Sequence, residues 1–287
     1  IRDARSSLVG SEMCIRDRFI RTTALAAAAL AAILEFPLLA AQTKQKNQTG
    51  KWGISPNPHV EPCAIEPITG YLPTFSPVSG DPMTGVFSAR YSMVAWLMAA
   101  EKSRNATMGS LEVTFRKGRC QTVEKRDGKG PQSPGYTTRT AVQFAGENNT
   151  VEQWTFESQV DGRKDTKFIE EGVWDGKTMR VRAQSFSRQY ATANPLIHRW
   201  ALLPLLASGS IKTTPLVFDM LDDSALRSNQ TLRYEGKIEV PVKGGTASLD
   251  SYVQTGQGIV PTHYLVDEKG QVQLITMGTV NWALTGR

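Results

Sequence analysis

GVWDGKTMRVRA, residues 172–183, reads as two β-strands joined by a tight turn. Asp175-Gly176 separates Gly172-Val173-Trp174 from Met179-Arg180-Val181-Arg182-Ala183, and such a turn needs residues that accept positive φ. The same habit extends in both directions. Leu111, Val113 and Phe115 alternate with Glu112, Thr114 and Arg116, and Trp154 and Phe156 alternate with Gln153, Thr155 and Glu157. Val142 and Phe144 mark a further strand, and Asp161-Gly162 offers another hairpin turn. Towards the C-terminus, the pairs Leu232/Tyr234, Ile238/Val240, Leu249/Val253 and Val272/Leu274 repeat the pattern, with Asp267-Glu268-Lys269-Gly270 as a four-residue turn. A period of two over consecutive segments implies antiparallel strands with one buried and one wet face.

Two segments break this period. Ser88–Lys102 places Tyr91, Val94, Ala95 and Met98 at helical spacing, with Trp96 and Leu97 widening the apolar face, and is expected to be a core-facing helix. After Asn194-Pro195, LIHRWALLPLLASG (196–209) predicts a short apolar helix, broken near Pro204 and stopped at Gly209. The expected fold is mainly β (α+β): a curved antiparallel sheet or incomplete β-barrel with one or two packed helices.

The N-terminus carries no fold signal. Residues 8–18, LVGSEMCIRDR, match the in-frame translation of a sequencing-library adapter, so residues 1–18 are read as an artefact joined to a gene fragment from a mixed DNA sample. Residues 19–41 read as a bacterial-style signal peptide. Arg21 precedes an eleven-residue apolar core (Ala24–Leu34), too short to span a bilayer, and Leu39-Ala40-Ala41 offers a cleavage site. A periplasmic or secreted location follows, with no stable membrane span after cleavage. Residues 42–86 hold Pro56, Pro58, Pro62, Pro67, Pro73, Pro77 and Pro82, which exclude regular helix or a central strand and predict an extended arm. Residues 87–287 are left as a single β-rich domain. Setting residues 1–41 aside removes five of the 33 basic and four of the 27 acidic residues, leaving 28 against 23 with no Lys/Arg block. That dispersed charge does not point to nucleic acid. Cys63 and Cys120 remain, and in an exported chain they are a disulfide candidate.

No catalytic spacing is present. His59, His198 and His263 form no HxH or HxxxH pattern, there is no CxxC, and GxSxG, GxGxxG and phosphate-loop motifs are missing. The chain is therefore read as binding no metal or cofactor and as not an enzyme. Glu170-Glu171 on one strand would point to opposite faces, and Asp222-Asp223 reads as a turn. An exported hydrolase using a carboxylate pair from separate strands stays open as an alternative. Six aromatic residues are singled out as ligand-binding candidates: Trp96, Trp154, Phe156, Trp174, Trp200 and Trp282. They either pack an ordinary core or line an apolar ligand cavity inside a curved sheet.

The element order (export signal, amphipathic segment, the strand SLEVTFRKG, a meander with WxF and VWDG, a helical insertion, and the closing VDEKGQV hairpin) resembles the periplasmic lipoprotein-carrier (LolA/LolB/RseB-like) superfamily over roughly residues 88–282. The resemblance implies an incomplete antiparallel barrel plugged by helices whose cavity accepts lipoprotein acyl chains. The Pro-rich arm and the loop at Lys125–Gly135 depart from that pattern. The expected function is an exported binding protein for a hydrophobic ligand, either a lipid or a lipoprotein acyl chain. The alternative is a structural or interaction module of the cell envelope.

Overall fold

Among the described residues, fifteen strands follow one another with one α-helix. They are β1 (Phe87–Ala99), β2 (Lys102–Arg116), β3 (Arg119–Arg126), β4 (Tyr136–Ala145), β5 (Thr150–Val160), β6 (Phe168–Trp174), β7 (Thr178–Ala183), β8 (Phe186–Ala191), β9 (Leu196–His198), the helix α1 (Leu202–Ala207), β10 (Leu216–Asp222), β11 (Ala225–Val242), β12 (Gly245–Thr255), β13 (Thr262–Val266), β14 (Val272–Thr276) and β15 (Val280–Gly286). This computed structural model describes residues 64–99, 102–128, 133–145 and 149–287. The adapter, the signal segment, the first part of the arm and Cys63 lie outside the described residues.

The strands form one sheet in the order β4-β3-β2-β1-β15-β14-β13-β12-β11-β10-β9-β5-β6-β7-β8, and β4 also pairs with β5. Twelve strands thus close into a ring, and β6–β8 leave it at β5 as a three-stranded flap. The incomplete barrel expected from the sequence is in fact closed, but the closure is thin. Ten antiparallel steps lead from β5 through β4 round to β10, and β9 runs parallel to β10. Going round the wall, β9 should therefore point the same way as β5. They nevertheless meet antiparallel, at the single pair Thr150↔Ile197. Directions that conflict in this way cannot extend into a ladder, so the backbone of β5 beyond Thr150 bonds to β6 instead.

Ser88–Lys102, expected as helix, is strand β1, paired on one side with β2 and on the other with β15. Phe87, Ala89, Tyr91 and Met93 are buried and alternate with Ser88, Arg90 and Ser92. Val94 keeps the outward phase of Ser88, Arg90 and Ser92, because the extra residue of the bulge here is Met108 of β2. The arm covers it, however, so Met93, Val94 and Ala95 are buried in succession, and the apparent period of two breaks into one that imitates a helix. The second helix forms only in part: Leu196–His198 is strand β9, and the helix runs over Leu202–Ala207 without a break at Pro204. Pro204 is tolerated in the first turn of α1, and Gly209 (φ +70°) ends the turn that follows. Asp175-Gly176 and Asp267–Gly270 both form turns, with Gly176 and Gly270 at positive φ. Asp161-Gly162 opens a longer connection that includes a 3-10 turn at Lys164–Thr166.

One face of the wall carries Phe87, Phe115, Val142, Trp154, Tyr252, Tyr264 and Trp282, and these belong to the same buried cluster as the α1 leucines. That face is the lumen. The opposite face is wet on β2–β5 but covered on β11–β15 and β1. There Ile68, Leu72 and Phe75 of the arm pack on Val94, Ile238, Val240, Leu249, Leu265 and Leu274. Residues 64–86 are consequently not a free spacer. Pro67 has no donor, yet its carbonyl accepts from Asn105 Nδ2 at 2.8 Å and Asn281 Nδ2 at 3.4 Å, and Thr276 Oγ1 donates to Ala64 O at 2.6 Å.

Candidate functional site

An eight-stranded barrel is just wide enough to be filled by its own side chains. A ring of twelve encloses more, and here the surplus is filled by chain. From His198 the backbone turns inward through the 3-10 turn Arg199–Ala201 into α1. Trp200, Ala201, Leu202, Leu203 and Leu206 are all buried against the lumen wall. The plug enters beside the β14–β15 loop, where Arg199 meets Met277, and leaves beside the β13–β14 turn. There a side chain on Gly270 would meet Ala207 O at 2.7 Å, which explains the glycine.

The plug entrance is charged. The Arg199 guanidinium lies 4.4 Å from the Trp282 ring centroid and 4.9 Å from that of Trp200, and the two rings meet edge to face at 5.6 Å. Arg199 also pairs with Asp222 at 3.3 Å, and Asp222 accepts a second ion pair from Arg227 at 3.4 Å. His198 is fully buried next to this group, with no hydrogen bond at either ring nitrogen among the described residues. Burial pushes its pKa down to about 3, with Asp222 opposing and Arg199 adding to the shift, so the imidazole is neutral. Deeper in, Tyr264 donates to Gln254 Oε1 at 2.8 Å and Gln254 donates to Gln230 Oε1 at 3.0 Å.

The six aromatic residues singled out in the sequence do not surround one open cavity. Trp200 and Trp282 come together. Trp154 and Phe156 are buried on β5, with the Trp154 ring lying flat over Gly172. Trp174 stands at the end of β6, where its Nε1 donates to Thr192 Oγ1 at 2.9 Å, and Trp96 is half-buried on β1. Cys120 faces the lumen, and burial pushes its thiol up to about 12. Its pairing with Cys63 concerns a residue outside the described ones. Glu170 points inward and is buried while Glu171 points outward, as adjacent strand residues must. Asp222 ends β10, and Asp223 (φ +55°) turns the chain into β11. Among the described residues no group of three His, Cys, Asp or Glu side chains could hold a metal ion.

Sequence reasoning missed a second feature. Outside the barrel, where the flap leaves the wall, β3–β8 enclose a solvent-open groove of about 720 Å³ lined by Arg119, Gln153, Thr155, Glu171, Arg180 and Arg182 among others. Its charged residues come from strands far apart in sequence, and each alone reads as an ordinary solvent-facing position.

No protein-family model matches the chain, and no curated protein matches it. Among solved structures the chain is similar to a β-barrel-like protein of a domain of unknown function, DUF1849, from Brucella abortus. The identity is 10% and the TM-score 0.48, over 70% of this chain and 96% of that one.

Proposed function

We propose that the protein is an exported, non-enzymatic binding protein for an apolar chain, of the kind found in a lipid or a lipoprotein acyl group, which enters the lumen in exchange for the plug. The observation that carries this reading is the plug itself: an apolar segment of the chain, not the barrel wall, fills the space along the lumen. Its helix has only six residues and no side-chain cap at its N-terminus, so it depends on packing against the wall for its stability. The wall beside it is joined by one bridge at Thr150↔Ile197, the weakest point of the ring. Trp154 Nε1, Trp282 Nε1 and both His198 nitrogens have no hydrogen-bond partner among the described residues. Buried polar groups of this sort are ordinarily satisfied, and a ligand headgroup or water entering with the chain would do so. The resemblance to lipoprotein carriers noted in the sequence agrees with this reading.

The test is native mass spectrometry of the protein exported to a bacterial periplasm, followed by organic extraction and titration with a fluorescent fatty acid. Leu203→Asp, which loosens the plug, is expected to increase uptake while far-ultraviolet circular dichroism stays β-rich. A clean apo mass, with no fatty acid uptake by either protein, overturns the proposal.

A further inference from the structure

We propose that the outer groove is a second binding site, independent of the lumen, and that it takes an extended acidic peptide lying across the strands. The register sets out two rows of side chains running from strand to strand on the outer face. One row reads Arg119, Gln143, Gln153, Val173, Arg180. The other reads Gln121, Ala141, Thr155, Glu171, Arg182, Ser187. Arginine therefore stands at both ends of the groove. Across the four strand spacings between β3 and β7 this is a distance of roughly 19 Å. An extended peptide of about six residues covers that length.

The groove differs from a merely solvated sheet face in three ways. It is concave and encloses about 720 Å³. Its floor is partly apolar: Val173, near the end of β6, is 43% exposed. Its charges are also not used internally. Arg180 pairs with Asp175, but neither Arg119 nor Arg182 has an ion pair or hydrogen bond among the described residues. Gln121 and Thr155 likewise make no side-chain hydrogen bond there, which leaves donors and acceptors along the floor. A peptide backbone presents both kinds of group, and carboxylates at its ends would meet the guanidiniums. The aromatic residue that lines the groove, Trp154, is buried beneath it, so neither nucleobases nor sugar rings find an exposed stacking surface there. Glu171, in the middle of the second row, opposes a closely spaced polyanion but not a ligand charged at its two ends.

The experiment is fluorescence anisotropy on the full chain at low salt, with a labelled six-residue peptide that has glutamate at each end and serine and valine between. The controls are the same peptide ended by glutamine and a labelled oligothymidylate. The glutamate peptide is expected to bind best, and Arg119→Gln and Arg182→Gln are each expected to weaken it about fivefold, the scale of an exposed ion pair. Glu171→Gln is expected to tighten it, an effect that a loss of folding would not produce. Fatty acid uptake should be unchanged in all three variants, which separates this site from the lumen. Equal binding of the glutamate and glutamine peptides, tighter binding of the oligothymidylate, or indifference to both arginine substitutions overturns the proposal.

Discussion

Gly172→Ala should be among the most damaging one-carbon changes in this protein. Gly172 is the cross-strand partner of Trp154, and a Cβ built on it would lie 2.0, 2.2 and 2.4 Å from three atoms of the indole ring. Carbon atoms pack at roughly 3.5–4.0 Å, so the ring would have to retreat by about 1.5 Å. Trp154 is 2% exposed and cannot retreat without displacing its neighbours. Overpacking of this kind costs about 1–3 kcal/mol, and expelling the indole would forfeit burial worth about 3–5 kcal/mol. We expect a loss of about 2–4 kcal/mol, which in a domain of this size lowers Tm by roughly 5–15 °C. The assay is urea unfolding followed by tryptophan fluorescence and far-ultraviolet circular dichroism, in the wild type and in a Trp154→Leu background. Gly172 is not among the positive-φ glycines. Its backbone therefore accepts Ala, and once the ring is gone the substitution should be neutral or stabilise by about 0.5–1 kcal/mol. A Gly172→Ala protein within about 0.5 kcal/mol of wild type, or an equal loss in both backgrounds, would refute the reasoning.

Three further outcomes are expected. His198 stays neutral when folded, with a pKa near 3 against 6.5 when free. Between those values the unfolded chain binds a proton that the folded one does not, so stability is lost as pH falls from about 6.5 towards 3, by up to about 5 kcal/mol. His198→Phe should flatten the acid limb of a stability–pH curve, and an unchanged slope would contradict the assignment. Arg199→Met removes one of the two partners of Asp222 and the cation between two indoles, and should cost about 2 kcal/mol in urea with a shift in tryptophan emission. An unaltered midpoint and spectrum would show that the cluster contributes nothing. Phe75→Ala, which strips the arm from the outer face, should cost about 3 kcal/mol and raise binding of a hydrophobic dye, whereas a spacer-like arm would show neither change.

The strands were legible in the sequence because a half-buried strand must alternate. Leu111-Val113-Phe115, Trp154-Phe156 and the Asp175-Gly176 turn all stand where the period of two places them. The six apolar residues of α1 and its end at Gly209 were legible for the same local reason. Ser88–Lys102 was misread because the arm buries the outer face at Val94, so apolar residues fall on both faces of the strand, and a local pattern cannot tell this from a helix. Among the candidate site residues, the pattern identified large aromatics on buried faces, but it could not say that a plug would fill the space between them. Closure of the ring depends on the direction in which β9 meets β5, and the groove depends on arginines of β3 and β7 that alternate like any exposed residue. Alternation and turn chemistry act over a few residues, so the sequence by itself determined the strands, the turns and which face of each is apolar. Closure, plugging and the clustering of charge arise from contacts between residues tens to hundreds of positions apart, and only the tertiary structure decided them.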